Sequence, residues 1–418
     1  MIDKLPINWE WIPLGEYVEN HDAARVPVSS KEREKRQGKY PYYGASGVID
    51  QIDGYTHQGE YLLLGEDGAN LLARSKPIAF LANGKFWVNN HAHVLKCRGE
   101  APNAYLAYYL NRIDLAPYVT GTAQPKLSQA KMNKIPIPVA PLDQQKRIVA
   151  EIEKQFSRLD EAVANLKRVK ANLKRYKASV LKAAVEGKFA SIDPSGWIRT
   201  NLGAVLTTIE AGKSFKCEER LPNIREIGVV KVSAVTWGTY DEEESKTCLD
   251  PDRIETRYFV KSGDFLFSRA NTIQLVGRCV IAQKVTRKVM LSDKILRFHF
   301  SDTVAPLWVL YWLQSDIGRK EIERLSTGNQ ESMRNIGQER IRQIVFAFPG
   351  LEEQRAIVGE VERRLSVIEE LQASVQANLT RAARLRQSVL QQAFSGRLSS
   401  ENGCKQNSAA QSEQAHAC

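Results

Sequence analysis

The chain has 418 residues, 43% of them hydrophobic, which is more than one ordinary domain needs and enough for two or three packed cores. Lys and Arg outnumber Asp and Glu by 59 to 48, a net charge of +11 that disfavours an acidic small-molecule ligand and favours a polyanionic partner. No run of about 18 apolar residues is present to span a membrane, the start lacks the basic-then-apolar pattern of a signal peptide, and the six cysteines form no C-x-x-C pair. These features exclude a membrane span, a zinc framework and a disulfide scaffold, and lead us to expect a reducing, cytoplasmic setting.

In chain order, a globular segment over residues 1–140 opens with Pro6-Ile7-Asn8-Trp9 and then Leu14-Gly15. Within it Tyr61–Leu64 and Pro77–Leu81 read as short strands, and Asn103–Leu110 reads as a short helix behind a proline. Pro136, Pro138 and Pro141 then stop the chain. From 141 to 189 a proline-free helix is predicted, with Val149, Ile152, Phe156, Leu159, Val163 and Leu166 alternating three and four apart, then Val169, Leu173, Tyr176 and Val180, ending at Gly187. Its polar face is crowded with Lys167, Arg168, Lys170, Lys174, Arg175, Lys177 and Lys182, consistent with a solvated surface or with a subunit or DNA-backbone contact.

A second globular segment, 190–350, opens with Pro194-Ser195-Gly196-Trp197 and Leu202-Gly203 at the spacing of the first. Ile227–Val232, Asp264–Phe267 and Val276–Ile281 read as strands and Pro306–Leu313 as a helix. After Pro349 a second long helix is predicted over 351–398, with Val358, Val361, Leu365, Ile368, Val375, Leu379, Leu385 and Val389 on its seam, Leu371 near it, and Gly396 at its end. The Gln-, Ser-, Asn- and Ala-rich remainder, 399–418, is expected to be disordered.

The two long segments are copies. Sliding the chain by 209 residues aligns Leu142–Phe189 with Leu351–Leu398 without a gap, and 15 of the 48 positions are identical. A helix of roughly 45 residues at about 1.5 Å per residue is on the order of 65–70 Å long, too long to be covered by one small domain. The other copy supplies a partner of matched length. The expected architecture is therefore α+β: two strand-rich globular domains separated by two long helices packed as an antiparallel coiled coil, with pseudo-two-fold symmetry.

Catalytic signatures are missing. Gly212-Lys213-Ser214 resembles the end of a phosphate loop, but the glycine required five residues earlier is Thr207. The Asn/Asp-Pro-Pro-aromatic tetrapeptide of DNA amino-methyltransferases is absent. His91-Ala92-His93 has no recognisable third ligand, so no metal site is assigned. Glu66, Asp67 and the acidic run 241–244 lack the accompanying residues of a nuclease, and the run reads as a solvated loop.

What remains suits bases and phosphates. In the first globular segment the candidates are Lys39, Tyr42, Tyr43, Asn70, Arg74, Asn89, Asn90, His91, Gln124 and Lys126; in the second they are Lys213, Ser214, Arg269, Asn271, Gln274, Lys294, Asn329 and Gln330. Arg and Lys can bond guanine edges in the major groove, and Asn and Gln adenine edges.

These phrases together resemble the specificity subunit of type I restriction-modification systems. The resemblance rests on the doubled Pro-x-x-Trp…Leu-Gly opening, Pro-Tyr-Tyr-Gly-Ala-Ser-Gly at 41–47, Gly-Glu-Asp-Gly-Ala-Asn at 65–70 and Val-Asn-Asn-His-Ala-His at 88–93. The helix entrances at Leu142-Asp143-Gln144-Gln145 and Leu351-Glu352-Glu353-Gln354, and the helix ends at Ser179-Val180-Leu181 and Ser388-Val389-Leu390, complete it.

The resemblance implies two target-recognition domains (1–140 and 190–350), each reading one half of a split and asymmetric site on double-stranded DNA, and two conserved helices (141–189 and 351–398) as the spacer. It implies a non-catalytic subunit that scaffolds two modification subunits, which use S-adenosylmethionine for DNA adenine methylation, and restriction subunits, which use ATP and Mg; none of these cofactors is expected on this chain.

Overall fold

A computed structural model of the chain describes residues 5–121, 123–191 and 193–398. The polar tail expected from Ser399 onward lies outside the described residues. The chain divides into two compact units: one of residues up to 167 together with those from 376 on, the other of residues 168–375. Each long helix therefore contributes one of its ends to each unit.

Those helices span Leu142–Val185 and Leu351–Phe394. Both begin behind a proline-marked segment with acidic residues in the first turn, Asp143 in one and Glu352 and Glu353 in the other, where the positive end of the helix dipole favours them. Both end in a left-handed glycine, Gly187 at φ 74° and Gly396 at φ 76°. The amides of Lys188 and Arg397 reach back five residues to the carbonyls of Ala183 and Gln392, the bond that closes a Schellman cap.

The opening phrases explain why nothing larger than glycine fits there. A Cβ on Gly187 would lie 2.1 Å from Pro194 Cγ, and one on Gly396 would lie 2.6 Å from Pro6 Cγ. Each helix end thus rests on the proline that begins a globular segment, and the repeated Pro and Gly are two sides of one contact.

The repeated glutamines lock the other helix ends. Gln145 donates to the carbonyl of Ala140 at 2.8 Å and accepts from the Tyr17 hydroxyl at 2.8 Å. Gln354 donates to the carbonyls of Pro349 at 2.8 Å and Thr303 at 3.1 Å, and accepts from the Ala305 amide at 2.8 Å. Both are buried, so losing either amide would strand several polar groups away from water.

In the first unit one core runs from Trp9 and Leu14 through Tyr105 and Leu106 to Ile148 and Ile152 of the first helix and Val389, Leu390, Ala393 and Phe394 of the second. The Phe394 ring packs 5.1 Å from Tyr105 and 5.2 Å from Tyr109. The start of one helix lies beside the end of the other, and farther along Asp160 pairs with Arg386, so the helices run antiparallel here. In the second unit Lys177 pairs with Glu369 at 3.6 Å, and the Ser191 amide meets Glu353, again antiparallel.

The predicted seam holds only in part. Ile152, Leu173, Val180, Val358, Val361, Leu365, Ile368, Val375 and Val389 are buried, but Val169, Tyr176, Leu371 and Leu385 are exposed. A helix pair covers one narrow stripe, and these positions alternate along the helices with buried Leu173, Ile368, Val375 and Val389, so exposure changes from residue to residue within one stretch.

The globular parts share a strand order that their sequences do not. In the first unit an antiparallel sheet runs Val18–Asn20, Ala92–Cys97, Tyr61–Gly65, Ala79–Ala82; in the second the order is Leu206–Ala211, Ile295–Phe300, Phe265–Ser268, Cys279–Ile281. A further four-stranded sheet accompanies each, and each contains one parallel pair, Tyr40–Gly44 with Lys85–Val88 and Gly228–Val230 with Val289–Met290. The helices Asn103–Arg112 and Pro306–Gln314 bury tyrosines, leucines and tryptophans against these sheets. In each unit the strand after the opening phrase pairs with the segment before the next long helix, Glu10–Pro13 with Pro136–Val139 and Ile198–Asn201 with Val345–Phe348.

Candidate nucleic-acid interface

In the first unit three loops converge at one end of the main sheet, beside its two central strands. The Glu66 amide donates to the carbonyl of His91, the Leu127 amide to that of Glu66, and the Gly68 amide to that of Pro125. This brings His91, Asn90, Gln124 and Lys126 together, all exposed. His91 Nδ1 lies 2.7 Å from Asp67, and Lys126 Nζ lies 3.2 Å from Glu66.

Other predicted residues serve the scaffold. Tyr42 is only 1% exposed; its hydroxyl accepts from the Val28 amide at 2.9 Å, which places it in the core beside Ile52 and Trp87. Asn89 is buried and accepts from the His91 amide at 2.8 Å, shaping the turn. Asn70 closes its own loop through Ser75 and Lys76, and Arg74, in the left-handed region, aims its guanidinium at the carbonyls of Leu110 and Ile113. Tyr43 is half-buried against Phe80. Lys39 is exposed but lies at the far end of the strand from Tyr43, roughly 13 Å away at about 3.3 Å per residue.

Beneath the convergent loops is a buried ionic cluster that the sequence reading missed. His93 Nδ1 is 2.6 Å from Asp22 and its Nε2 is 2.9 Å from the carbonyl of Leu127, while Arg25 bonds Glu66 at 2.6 Å and Asp22 at 3.3 Å. Asp22, Glu66 and His93 are close enough to hold a metal. However, both His93 nitrogens are spent inside the protein and the carboxylates already face Arg25 and Lys126, so the arrangement is that of an ion-pair clasp.

Burial pushes the Asp22 and Glu66 carboxyls up, but hydrogen bonds and charge from His93, Arg25 and Lys126 outweigh it and hold both below their ordinary values. A depressed carboxyl stabilises the fold above its unfolded pKa, and that contribution vanishes as pH falls through the folded value. The first unit should therefore lose stability progressively below about pH 4, and Asp22→Asn should be less stable at pH 7 with a flatter acid limb. Thermal unfolding of both proteins across pH 2–7 checks this; parallel curves would remove the clasp from the account.

In the second unit, the three-stranded ribbon of Ala270–Asn271, Met333–Asn335 and Thr327–Gln330 carries three of the eight predicted residues, Asn271, Asn329 and Gln330, with Arg269 next to it in sequence. Arg269 bonds Asn335 at 3.3 Å, and its amide donates to the carbonyl of Lys294. Asn329 and Gln330 lie on the fully exposed outer strand, and Gln274 follows Ile273, whose amide donates to Glu331 at the ribbon tip.

Lys213, Ser214 and Lys294 line a neighbouring recess with Lys231 and Lys246, two lysines not singled out in the sequence. Lys294 also lines the recess on the ribbon side with Asn271 and Arg334. The glycine before Lys213 has a structural cause: a Cβ on Gly212 would sit 2.1 Å from the Leu291 carbonyl oxygen. Lys213 itself is paired with Glu255 at 2.5 Å, a hydrogen bond that raises its pKa.

The acidic run 241–244 is a clasp rather than the solvated loop its composition suggests. Glu242 accepts from the amides of Thr286 and Arg287 at 2.7 and 3.0 Å, and Glu244 accepts from the Ser233 hydroxyl at 2.6 Å. The buried Cys97 and Cys279 thiols are pushed up to about 12 by burial, which keeps them protonated and unreactive.

The two units share one strand order, each gathers polar loops at one end of its main sheet, and each holds one end of both long helices, the make-up of a modular, duplicated α+β protein. Residues 6–175 match the family model described as Type I restriction modification DNA specificity domain. A putative type I restriction enzyme specificity subunit of Haemophilus influenzae is 42% identical over 140 residues, 34% of this chain and 35% of that protein. The EcoEI specificity subunit of Escherichia coli is 32% identical over 186 residues, 44% of this chain and 31% of that protein. These alignments span about a third of the relatives' own length.

Among solved structures, one from a study of complex assembly and conformational transition of the type I R-M system gives a TM-score of 0.69 at 19% identity, covering 94% of this chain and 99% of that one. The HsdS subunit of Thermoanaerobacter tengcongensis gives 0.51 at 18% identity, covering 95% and 99%. Over residues 6–175 the chain matches this DNA specificity domain, and it is similar in sequence to type I restriction enzyme specificity subunits. Among the described residues no helix is long and apolar enough to cross a membrane.

Proposed function

We propose that this chain is the sequence-reading, non-catalytic subunit of a cytoplasmic type I restriction-modification complex. Each unit reads one half of a split DNA site, and because the two present different side chains on one strand order, the halves differ. Adenine methylation with S-adenosylmethionine belongs to two modification subunits assembled on the chain, and ATP- and Mg-dependent cleavage to restriction subunits.

The observation that carries this reading is the pairing of a common scaffold with unlike polar faces: the Asn90, His91, Gln124 and Lys126 loops in one unit, and the Asn271, Asn329 and Gln330 ribbon with adjoining Arg269 in the other. A common frame with exchanged surface residues is what separate readers of different sequences need.

The direct test is methylation mapping in cells expressing this chain with its modification partner, where a single split, asymmetric motif is expected. Binding in vitro should weaken steeply with salt, by about 0.9 log units per log salt for each phosphate contacted. Lys294→Ala should weaken binding to all sequences alike and reduce that slope by about one contact. A salt-independent affinity, or a modified motif with only one half, would sink the proposal.

A further inference from the structure

The second unit carries an apolar pair that no packing requirement explains. Trp237 and Met333 are each 75% exposed. They line one recess together with Asn271, Lys294 and Arg334, at the foot of the ribbon assigned above to base reading. A tryptophan left in water forgoes the apolar burial for which its size is normally used, and a methionine beside it does the same.

Neither side chain hangs on a loose loop. Trp237 follows Thr236, which is buried and whose hydroxyl donates to the Val232 carbonyl at 2.8 Å, and precedes Gly238 in the left-handed region. Met333 is flanked by Arg334, whose guanidinium donates to the carbonyls of Gly328 and Ser326, both at 2.7 Å, and so ties the ribbon across its width. The two apolar groups are therefore presented by braced backbone, a condition under which contact costs little ordering entropy.

We infer that Trp237 and Met333 form an apolar reading head that contacts thymine methyl groups in the major groove of the half-site read by this unit. The inference rests on the DNA-reading role proposed above and adds to it the class of base feature recognised. Three observations select DNA over a protein partner. The recess is cationic, lined by Lys294 and Arg334 and by no acidic residue among those described. The exposed strand Thr327–Gln330 and its neighbour Met333–Asn335 form a ribbon of the width that the major groove admits. Donors and acceptors for base edges, Asn271, Asn329 and Gln330, surround the apolar pair, and the single base feature those polar groups cannot read is the thymine methyl.

The experiment is selection of bound duplexes from a random DNA pool by the full-length chain purified with the proteins that accompany it. Wild type, Trp237→Ala and Met333→Ala are compared, with thermal unfolding confirming that these exposed substitutions leave the fold intact. Wild type is expected to enrich a split sequence, and the variants to relax one or two adjacent thymine-bearing positions of one half-site while leaving the other half unchanged.

Replacing those thymines by deoxyuridine should weaken wild-type binding about four-fold per methyl, the equivalent of about 0.8 kcal/mol for a buried methyl-sized group, and should leave the affinity of the relevant variant unchanged. Variants that select the wild-type sequence, relax positions without thymine, or bind DNA normally but lose an accompanying protein would overturn the inference. Failure of the wild type itself to enrich any split sequence would instead remove the DNA-reading role.

Discussion

Removing one heptad from each long helix, residues 160–166 and the facing 380–386, is expected to abolish modification of the native split site. The deletion removes Asp160 and its partner Arg386 together and preserves the seven-residue pattern, so the helices can still pair. It shortens each helix by about 10.5 Å at about 1.5 Å per residue, close to three base pairs of B-DNA at about 3.4 Å each. Half-sites are met in one orientation only at separations set by the helical turn, so a change of about three pairs also rotates one half-site by roughly a quarter turn or more.

Methylation mapping should show the original motif no longer modified. A motif with the same halves and a shorter gap is the accompanying gain, if the altered spacing is one the DNA can present. Continued modification of the unaltered motif would mean that the helices do not set the gap.

Arg297→Met should be the most damaging single substitution in the second unit. Arg297 is 4% exposed in the middle of the main sheet; its guanidinium bonds Glu210 and Asp264, each at 2.8 Å, and the carbonyls of Arg257 and Phe259. A methionine fills the space but leaves Asp264, itself largely buried, without its counter-charge. Removing one partner of a buried pair costs about 3–5 kcal/mol, enough to consume much of a domain's stability.

Adding Asp264→Asn should recover part of the loss, because the cost lies in the stranded carboxylate rather than in the missing cation. Urea denaturation of wild type, single and double variants checks this. An unchanged midpoint for the single variant, or a double variant less stable than the single, would contradict the assignment.

The difference between what was legible and what was not follows from the range of the interactions. The long helices announce themselves through local rules: a three-four apolar spacing, absence of proline, acidic first turns and a terminal glycine, all within one segment. Even so, the apolar spacing did not separate seam residues that are buried, such as Ile152 and Val180, from ones that are exposed, such as Tyr176 and Leu385.

The recognition faces depend on pairings between distant segments. Lys126 stands beside Glu66 because the segment 123–127 returns to the end of the main sheet, and Lys294 stands beside Arg269 because two strands of the main sheet pair. Residue type alone placed Tyr42 and Asn89 among the candidates, where burial makes them part of the frame, and it passed over Trp237 and Met333, which look like core residues until their exposure is seen.

Read alone, the amino-acid order determined the duplication, the two long helices with their proline-marked starts and terminal glycines, and an alternation of helix with strand-rich segments, because each of these is written in local periodicity or in direct repetition. Tertiary structure decided that two lobes with almost no sequence in common share one strand order, that His93, Asp22, Arg25 and Glu66 form a buried clasp, and which polar and apolar side chains stand on one face. Strand pairing and burial join residues scores of positions apart, and their outcome is set by the whole chain competing for one core, which no local pattern encodes.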